Sequence, residues 1–321
     1  MPLWAGIDEA GYGPPLGPLV VAGTAFVVGQ APREGMMWKL LRDAVCRGAR
    51  HSDGRLVIND SKQVYSPSQG LKRLEEGVLS FLRAATGRSS RRGGDLLNLV
   101  SGARPSSSPS PWFAGTVETR LPVATNASAL ASKTDVLRMV LRRCKTRALA
   151  PRAVVVLPDE FNRVVARTRN KSLLLFQKSG LILQELWSYA GPGESHVVVD
   201  RHGARVHYRR LLGDVFPHSR CDVVQEESNR STYRISDGDR TLILSFLEEA
   251  DCRVMPASLA SMLAKYLREL YMLAFNRYWQ DRIDSLKPTA GYGRDARRFL
   301  RDIEGALDRE GLDPSQLLRA R

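Results

Sequence analysis

Two adjacent carboxylates, Asp8 and Glu9, stand where a short apolar stretch enters a bend rich in glycine and proline, in the run LWAGIDEAGYGPPLGPLVV from Leu3 to Val21. Leu3, Ala5 and Ile7 alternate as in a short buried strand, and a second apolar run, Leu19 to Val28, leaves the bend. Charges at the end of a core strand are costly to desolvate unless something compensates them, and a hard cation with oxygen ligands is the usual compensation. Gly11, Gly13 and Gly17 strengthen that reading, because closely spaced glycines let backbone approach a ligand. The plainer reading of an Asp-Glu pair is a strand end reaching solvent. Adjacent strand residues point to opposite faces, so both acids share one site only if the chain bends at Glu9 or a backbone carbonyl serves as a ligand.

Other acids occupy similar places. Val197 to Val199 lead into Asp200, which Arg201, His202 and Gly203 follow, and Asp251 precedes Pro256 and Ser258 at the predicted start of a long helix reaching roughly Trp279. Carboxylates at the exits of several strands of one sheet can converge, since ligands of open α/β sheets collect there. Asp159 and Glu160 also follow an apolar strand, Ala153 to Leu157, but no glycine bend follows them. They read as a helix start, where acidic residues suit the dipole. Asp60, Ser61 and Lys62 end a short strand from Leu56 to Ile58. Ser61 and Lys62 are able to hold a phosphate, although a solvated turn is the commoner use of such a tripeptide.

The elements that must position these groups follow from periodicity. Helices are expected at Glu34 to Ala49, from Ser66 and Pro67 to about Ala85, at Asn126 to Leu149, Ser172 to Tyr189, Asp239 to Glu249 and Arg294 to Leu307. Strands are expected at Trp112 to Val117, Cys221 to Gln225 and Thr232 to Ile235. The stretches Thr86 to Gly94 and Ser101 to Pro111 read as linkers around Leu96 to Val100, and their Arg88, Arg91, Arg92 and Arg104 suit either solvent or a nucleic-acid backbone. Small residues Ala257, Ala260, Ser261 and Ala264 form one stripe of the long helix, which lets it pack close to another element.

The 321 residues carry 48 Lys and Arg against 34 Asp and Glu, a formal charge of +14. Such a surplus favours a polyanionic partner. No apolar run approaches the ~20 residues that span a bilayer, and MPLWAGIDEAG lacks the form of a signal peptide. A cytoplasmic protein is therefore expected. Cys46, Cys144, Cys221 and Cys252 form no paired motif, and His196, His202, His207 and His218 match no familiar ligand spacing, so zinc and disulfides are not indicated.

Taken together, the motifs resemble a known family, type 2 ribonuclease H (the ribonuclease HII and HIII group). GIDEAGYGPPLGPLVV resembles its first signature, with Asp8 and Glu9 in metal-binding positions. Asp60, Ser61 and Lys62 resemble its Asp-Ser-Lys segment. VVVDRHG is similar to the strand bearing its third acid, here Asp200. EADCRVMPASLASMLAKYLRE is similar to the block in which a fourth acid, here Asp251, precedes a helix, with Ala260, Ser261, Ala264, Lys265, Arg268 and Glu269 fitting it. TAGYG, with Tyr292, resembles a later turn. The signatures cover roughly residues 3 to 84 and 196 to 300.

The resemblance implies an α/β fold, a ribonuclease H-like mixed sheet flanked by helices, with a C-terminal helical region and an enlarged middle segment. It implies a catalytic domain over residues 1–300, with a flexible insertion at about 86–111 and an enlarged connection to about 195, and a basic helical extension over 301–321. It implies an endonuclease that uses Mg2+ or Mn2+, held by Asp8, Glu9, Asp200 and Asp251. The substrate would be the RNA strand of RNA/DNA hybrids or ribonucleotides embedded in duplex DNA, and the products 5′-phosphate and 3′-hydroxyl ends. Gly11, Tyr12 and Gly13 would approach the 2′-hydroxyl, Ser61, Lys62 and Lys265 would contact phosphates, and Tyr292 would pack on the sugar or base. No membrane partner is implied, and a monomer is the expected state. Three positions depart from the family: Tyr12 stands where HII members carry Arg, Glu269 stands for Asp, and Arg294 and Arg297 follow the later turn in place of Thr and His. A protein of the same fold that binds without cutting, and an unrelated Mg2+-dependent phosphotransferase, are the alternatives.

Overall fold

In a computed structural model describing residues 1–48, 53–66, 70–101, 110–313 and 316–320, the alternating start of the chain forms β1 (Leu3–Ala10), antiparallel to β2 (Leu19–Val27). A short helix α1 (Met36–Leu40) and a small parallel pair, β3 (Val45–Cys46) with β4 (Leu56–Val57), lead to the helical turn α2 (Ser61–Val64). Next come α3 (Lys72–Thr86), α4 (Gly93–Val100), α5 (Pro111–Ala114) and α6 (Ala127–Arg143). Strands β5 (Arg147–Ala148) and β6 (Arg152–Val156), helices α7 (Pro158–Thr168) and α8 (Lys171–Tyr189), and strand β7 (Gly193–Asp200) follow. The chain continues through α9 (Arg209–Val215), β8 (Arg220–Glu226), β9 (Arg230–Asp237) and β10 (Arg240–Leu247). It ends with α10 (Ala250–Arg253), α11 (Met255–Gln280) and α12 (Gly293–Glu310).

Eight strands form one mixed sheet in the order β5-β2-β1-β7-β10-β9-β8, with β6 also paired to β2. The β1–β7 and β7–β10 pairs are parallel and the remaining pairs antiparallel. Helices cover both faces, as parallel central strands require. Trp4, Val20 and Ala22 face a core shared with α3, α6 and α11, whereas Leu3, Ala5 and Ile7 face one built on α8 and α9. A third core joins α5, the C-terminal half of α11 and α12. The mixed sheet with flanking helices and a helical C-terminal region is the fold class expected from the sequence. No helix among the described residues is long and apolar enough to cross a membrane.

Helix α11 lies directly on β1. A Cβ added to Gly6 would stand 2.1 Å from the backbone nitrogen of Ala257, so the absence of a side chain sets the spacing between strand and helix. The middle of the chain is fastened from below by Glu75 of α3. Its buried carboxylate accepts the backbone N–H groups of Val123, Ala124 and Thr125 at 2.5, 2.7 and 2.8 Å and the Tyr266 hydroxyl at 2.6 Å.

Several elements differ from expectation. Asp239 to Glu249 is strand β10 for most of its length, because Leu242, Leu244 and Phe246 alternate into the core and a parallel partner, β7, is available. Of Glu34 to Ala49, the described residues to 48 are helical at Met36–Leu40, since the chain turns so that Val45 can pair with Leu56. Trp112 lies in helix α5 rather than a strand, as Pro111 suits a first turn and Trp112 stacks on Trp279. The expected helix to Leu149 stops at Arg143, and Ala148 instead pairs with Phe26 of β2. Much of Thr86 to Gly94 connects α3 to α4, and the apolar Leu96 to Val100 belongs to α4. Pro67, and residues 102–109 of the second expected linker with Arg104, lie outside the described residues.

Candidate active site

The β1–β7 pairing ends at Ile7 and Val199, while β1 stays paired with β2 to Ala10 and β7 with β10 to Asp200. A gap therefore opens between the two central parallel strands just where both carry carboxylates. By alternation Asp8 belongs to the α11 face with Trp4 and Gly6, and Glu9 to the α8 face with Ile7. The two reach the gap from opposite faces: oxygens of Asp8, Glu9 and Asp200 all lie within 4.8 Å of one another. β1 keeps its register with β2 through Glu9 to Ala10, so the two carboxylates meet without the break in the strand that the sequence suggests.

Asp251 joins this group from α10. A cleft of about 420 Å³ is lined by Asp8, Glu9, Asp200 and Asp251 with Ser61 and Lys62. Asp200 accepts the Ala250 N–H at 2.9 Å, and Asp8 accepts the Glu9 N–H at 2.7 Å. Ser261, one turn before Lys265 on α11, donates to Ser61 Oγ at 3.0 Å and also lies 3.4 Å from Asp251 Oδ2. Asp60 caps α2, its carboxylate accepting the Lys62 N–H at 2.9 Å.

Burial and mutual repulsion push every carboxyl of the cluster upward. Asp8 is raised well above the usual range by desolvation, then by Asp200, Glu9 and Asp251. Glu9 is raised to about 8 by burial, then Asp200 and Asp251. Asp251 reaches about 7 through burial and the neighbouring Asp60, and Asp200 about 6 through burial, opposed by the Ala250 N–H and Lys62. Burial would lower the Lys62 ammonium, but Asp60, Asp251, Asp8 and Asp200 outweigh it and hold the value above its ordinary one. None of the four cluster acids has a Lys or Arg nitrogen within 4.0 Å among the described residues. Crowded carboxylates without a cationic partner, all of them oxygen donors, fit a hard divalent cation.

The remaining predicted residues stand elsewhere. Gly11, at φ 86°, lies against the Arg268 side chain, and a Cβ there would come within 2.9 Å of its Cδ and Nε. Tyr12 and Gly13 line a second cavity, and the Glu9 charge, after burial, raises the Tyr12 hydroxyl. Lys265 does not line the acidic cleft: it pairs with Glu269 at 2.7 Å, and its ammonium lies 4.5 Å from the Tyr65 ring and 5.9 Å from the Tyr292 ring. Tyr292 is half-exposed and stacks over the Arg268 guanidinium at 4.9 Å. Sequence reasoning missed Glu248, Glu249 and Arg201, which also line the cleft. Glu248 pairs with Arg201 at 3.3 Å, and Glu249 takes a left-handed backbone at φ 54°. Recognising β10 as a strand would have placed both glutamates at a strand exit beside Asp200.

No model of a known protein family matches this chain, and no curated protein matches it. Among solved structures, it is similar to a chain of the PCNA:RNase HII complex from Archaeoglobus fulgidus, with 17% identity, 99% of this chain and 93% of that chain covered, and a TM-score of 0.40. It is also similar to ribonuclease H2 from Pyrococcus horikoshii OT3, with 17% identity, coverage of 99% and 92%, and a TM-score of 0.45. RNase H3 from Aquifex aeolicus is similar at 13% identity, coverage of 98% and 70%, and a TM-score of 0.39.

Proposed function

We propose that this chain is a divalent-metal-dependent endonuclease that hydrolyses the RNA strand of RNA/DNA hybrids, or ribonucleotides embedded in DNA, leaving 5′-phosphate and 3′-hydroxyl ends. The observation that carries the reading is the convergence of Asp8, Glu9, Asp200 and Asp251, from three distant segments, on one cleft that also contains Ser61 and Lys62. Those are the residues that the sequence resemblance to type 2 ribonuclease H assigns to metal and phosphate. The +14 charge supports a polyanionic substrate.

Asp8, Glu9, Asp200 and Asp251 would hold Mg2+ or Mn2+. When bound, such ions activate water and stabilise the leaving oxygen in an in-line displacement at phosphorus. The protein's own groups do the positioning. The Ser61 hydroxyl accepts from Ser261, which leaves its own O–H to donate to a phosphate oxygen. Lys62 stays charged beside the cluster and neutralises the same phosphate. Gly11 to Gly13, directly after the two acids of β1, would bring backbone to the 2′-hydroxyl that distinguishes RNA from DNA, and Gly13 has no heavy atom within 4 Å of where its Cβ would be. Tyr292, stacked on Arg268, offers an aromatic face to the sugar or base.

The test is cleavage of an end-labelled RNA/DNA hybrid and of a duplex with one ribonucleotide, each with Mg2+, Mn2+ or chelator. Metal-dependent cuts with 3′-hydroxyl ends are expected. Tight binding without cleavage in either metal would replace this reading with that of a binding protein of the same fold, and turnover of small phosphate esters alone with that of a phosphotransferase.

A further inference from the structure

Beyond the acidic cleft lies a cavity of about 640 Å³, bounded by Tyr12 to Pro15, Phe161, the start of α8, the first turns of α12 and the C-terminal segment. Among the described residues its lining contains Lys171, Arg297 and Arg319 and no Asp or Glu. Arg319 is only 4% exposed, yet its Nε and Nη1 have no hydrogen-bond partner among the described residues. The remaining nitrogen, Nη2, donates to the Pro14 carbonyl, and the guanidinium packs 4.8 Å over the Phe161 ring. The segment that carries it is fixed: Arg319 N donates to Pro15 O at 2.9 Å, Asn162 Nδ2 to Leu318 O at 2.6 Å, and Ala320 N to Asn162 Oδ1 at 2.7 Å.

A buried guanidinium without a counter-charge is unfavourable, and burial together with the nearby Arg268 holds its pKa down to about 9. Lys171 is exposed, its ammonium 5.2 Å from the Tyr12 ring, and Arg297 is exposed one turn into α12. Neither they nor Arg319 have a carboxylate within 4.0 Å among the described residues. Gly293, Ala296 and Arg297 from the first turns of the 18-residue α12 line this space, the Tyr292 cap makes no side-chain hydrogen bond to them, and the first-turn Asp295 carboxylate is taken up by Thr289, Ala290 N–H and Arg298.

We propose that this cavity is a phosphate subsite, in which Lys171, Arg297, Arg319 and the N-terminus of α12 hold one backbone phosphodiester of the bound duplex. The subsite rests on the nucleic-acid reading above and extends it: Tyr12 to Pro15, which line the cavity, follow within a few residues of Asp8 and Glu9, which line the acidic cleft, so a duplex seated in the cleft is gripped at a second point. Arg319 supplies the fixed charge, and the two exposed cations close over the phosphate.

The experiment measures affinity for an all-deoxy duplex, which carries no ribonucleotide to cut, across a range of salt concentrations. Each neutralised phosphate contributes about 0.9 to the slope of log affinity against log salt. A Lys171→Ala/Arg297→Ala double variant is expected to flatten that slope, by no more than about one, because both residues serve a single phosphate that Arg319 still partly neutralises. An unchanged slope overturns the subsite, and so does a loss of about two, which describes independent surface contacts. A wild-type chain that binds no duplex would overturn the nucleic-acid reading itself, whereas duplex binding with an unaltered slope in the variant overturns the subsite alone. Melting with inorganic phosphate at constant ionic strength separates the sources. Stabilisation of the wild type but not the double variant supports a subsite that also takes free phosphate. No stabilisation, with the slope flattened, supports one that takes backbone phosphate only.

Discussion

The Asp200 carboxylate accepts the backbone N–H of Ala250 at 2.9 Å. The last residue of β7 is thereby fastened to the first residue of α10, the short helix that carries Asp251. Two acids from segments distant in the chain are held in register by one hydrogen bond, and the bond also offsets part of the burial that raises Asp200.

That bond separates charge from geometry in a mutation. Asp200→Asn keeps an oxygen to accept from Ala250 and removes the charge. Cleavage of a hybrid is expected to fall by on the order of 10²–10³-fold, the scale for loss of one electrostatic element at a reacting centre. The metal-free melting temperature should hold or rise, since repulsion on Asp8 and Glu9 is relieved. Asp200→Ala should lower both activity and melting temperature. An Asp200→Asn variant that cleaves at the wild-type rate would remove this residue from the site.

Stability should depend on pH in a direction set by the same cluster. Glu9 is raised from 4.5 to about 8, Asp251 from 3.8 to about 7 and Asp200 from 3.8 to about 6. Between those limits the folded chain binds more protons than the unfolded one, so this contribution is fully present below pH about 4 and is lost as pH rises to about 8. Urea unfolding without metal should therefore show a contribution that falls across this window. Mg2+ or Mn2+ should flatten it by pairing with the ionised carboxylates. Identical profiles with and without metal would mean that the cluster holds no cation.

Much of this arrangement is legible in the residues, for reasons that also show where legibility ends. Leu3, Ala5 and Ile7, and the valines before Asp200, give strands because alternation and β-branching are local signals. The stripe Ala257, Ala260, Ser261 and Ala264 correctly marks a close helix contact, since only small side chains tolerate one. For Asp239 to Glu249 the sequence predicts a helix, because a short apolar run has no decisive period, and the strand character of Arg240–Leu247 comes from pairing with β7, a long-range fact. Missing β10 hid Glu248 and Glu249. The meeting of Asp8 and Glu9 was equally invisible, because it depends on β1 and β7 parting after Ile7 and not on a break in β1. Arg319 gave no signal at all: nothing near it in the chain predicts that it lies against Pro14.

The contact between β1 and α11 gives a structural test of the site. A methyl at Gly6 would lie 2.1 Å from Ala257 N and 2.5 Å from both Ala257 Cα and the Pro256 carbonyl carbon. These are backbone atoms of a long helix and cannot rotate away. Gly6→Ala should destabilise the chain by about 3 kcal/mol, the upper range for overpacking. It should also displace Ser261 and the Asp251 segment relative to Asp8, and so reduce cleavage even where the variant is folded. Urea unfolding and cleavage below the transition measure the two effects. A variant with the wild-type midpoint would show that the helix does not rest on β1 at this point.

Arg268 links the two glycine loops beside the cleft. Its side chain is fully buried, with Nη2 donating to Ala290 O at 2.9 Å and Leu16 O at 3.3 Å and Nη1 donating to Glu269 at 3.2 Å. Gly11, Gly17 and Gly291, all at positive φ, close around it. Arg268→Leu removes the donors that tie the first loop to the turn before Tyr292, and a loss of about 3 kcal/mol is expected from breaking this buried charged network. Arg268→Lys keeps the charge, but a single ammonium does not reproduce the fork that reaches both carbonyls, so an intermediate loss is expected. In both variants hydrogen exchange should rise at residues 11–17 and 289–293, and KM for a hybrid should rise more than kcat falls, because loop order and not the acid cluster is disturbed. Unaltered exchange in both loops would show that something other than this guanidinium holds them together.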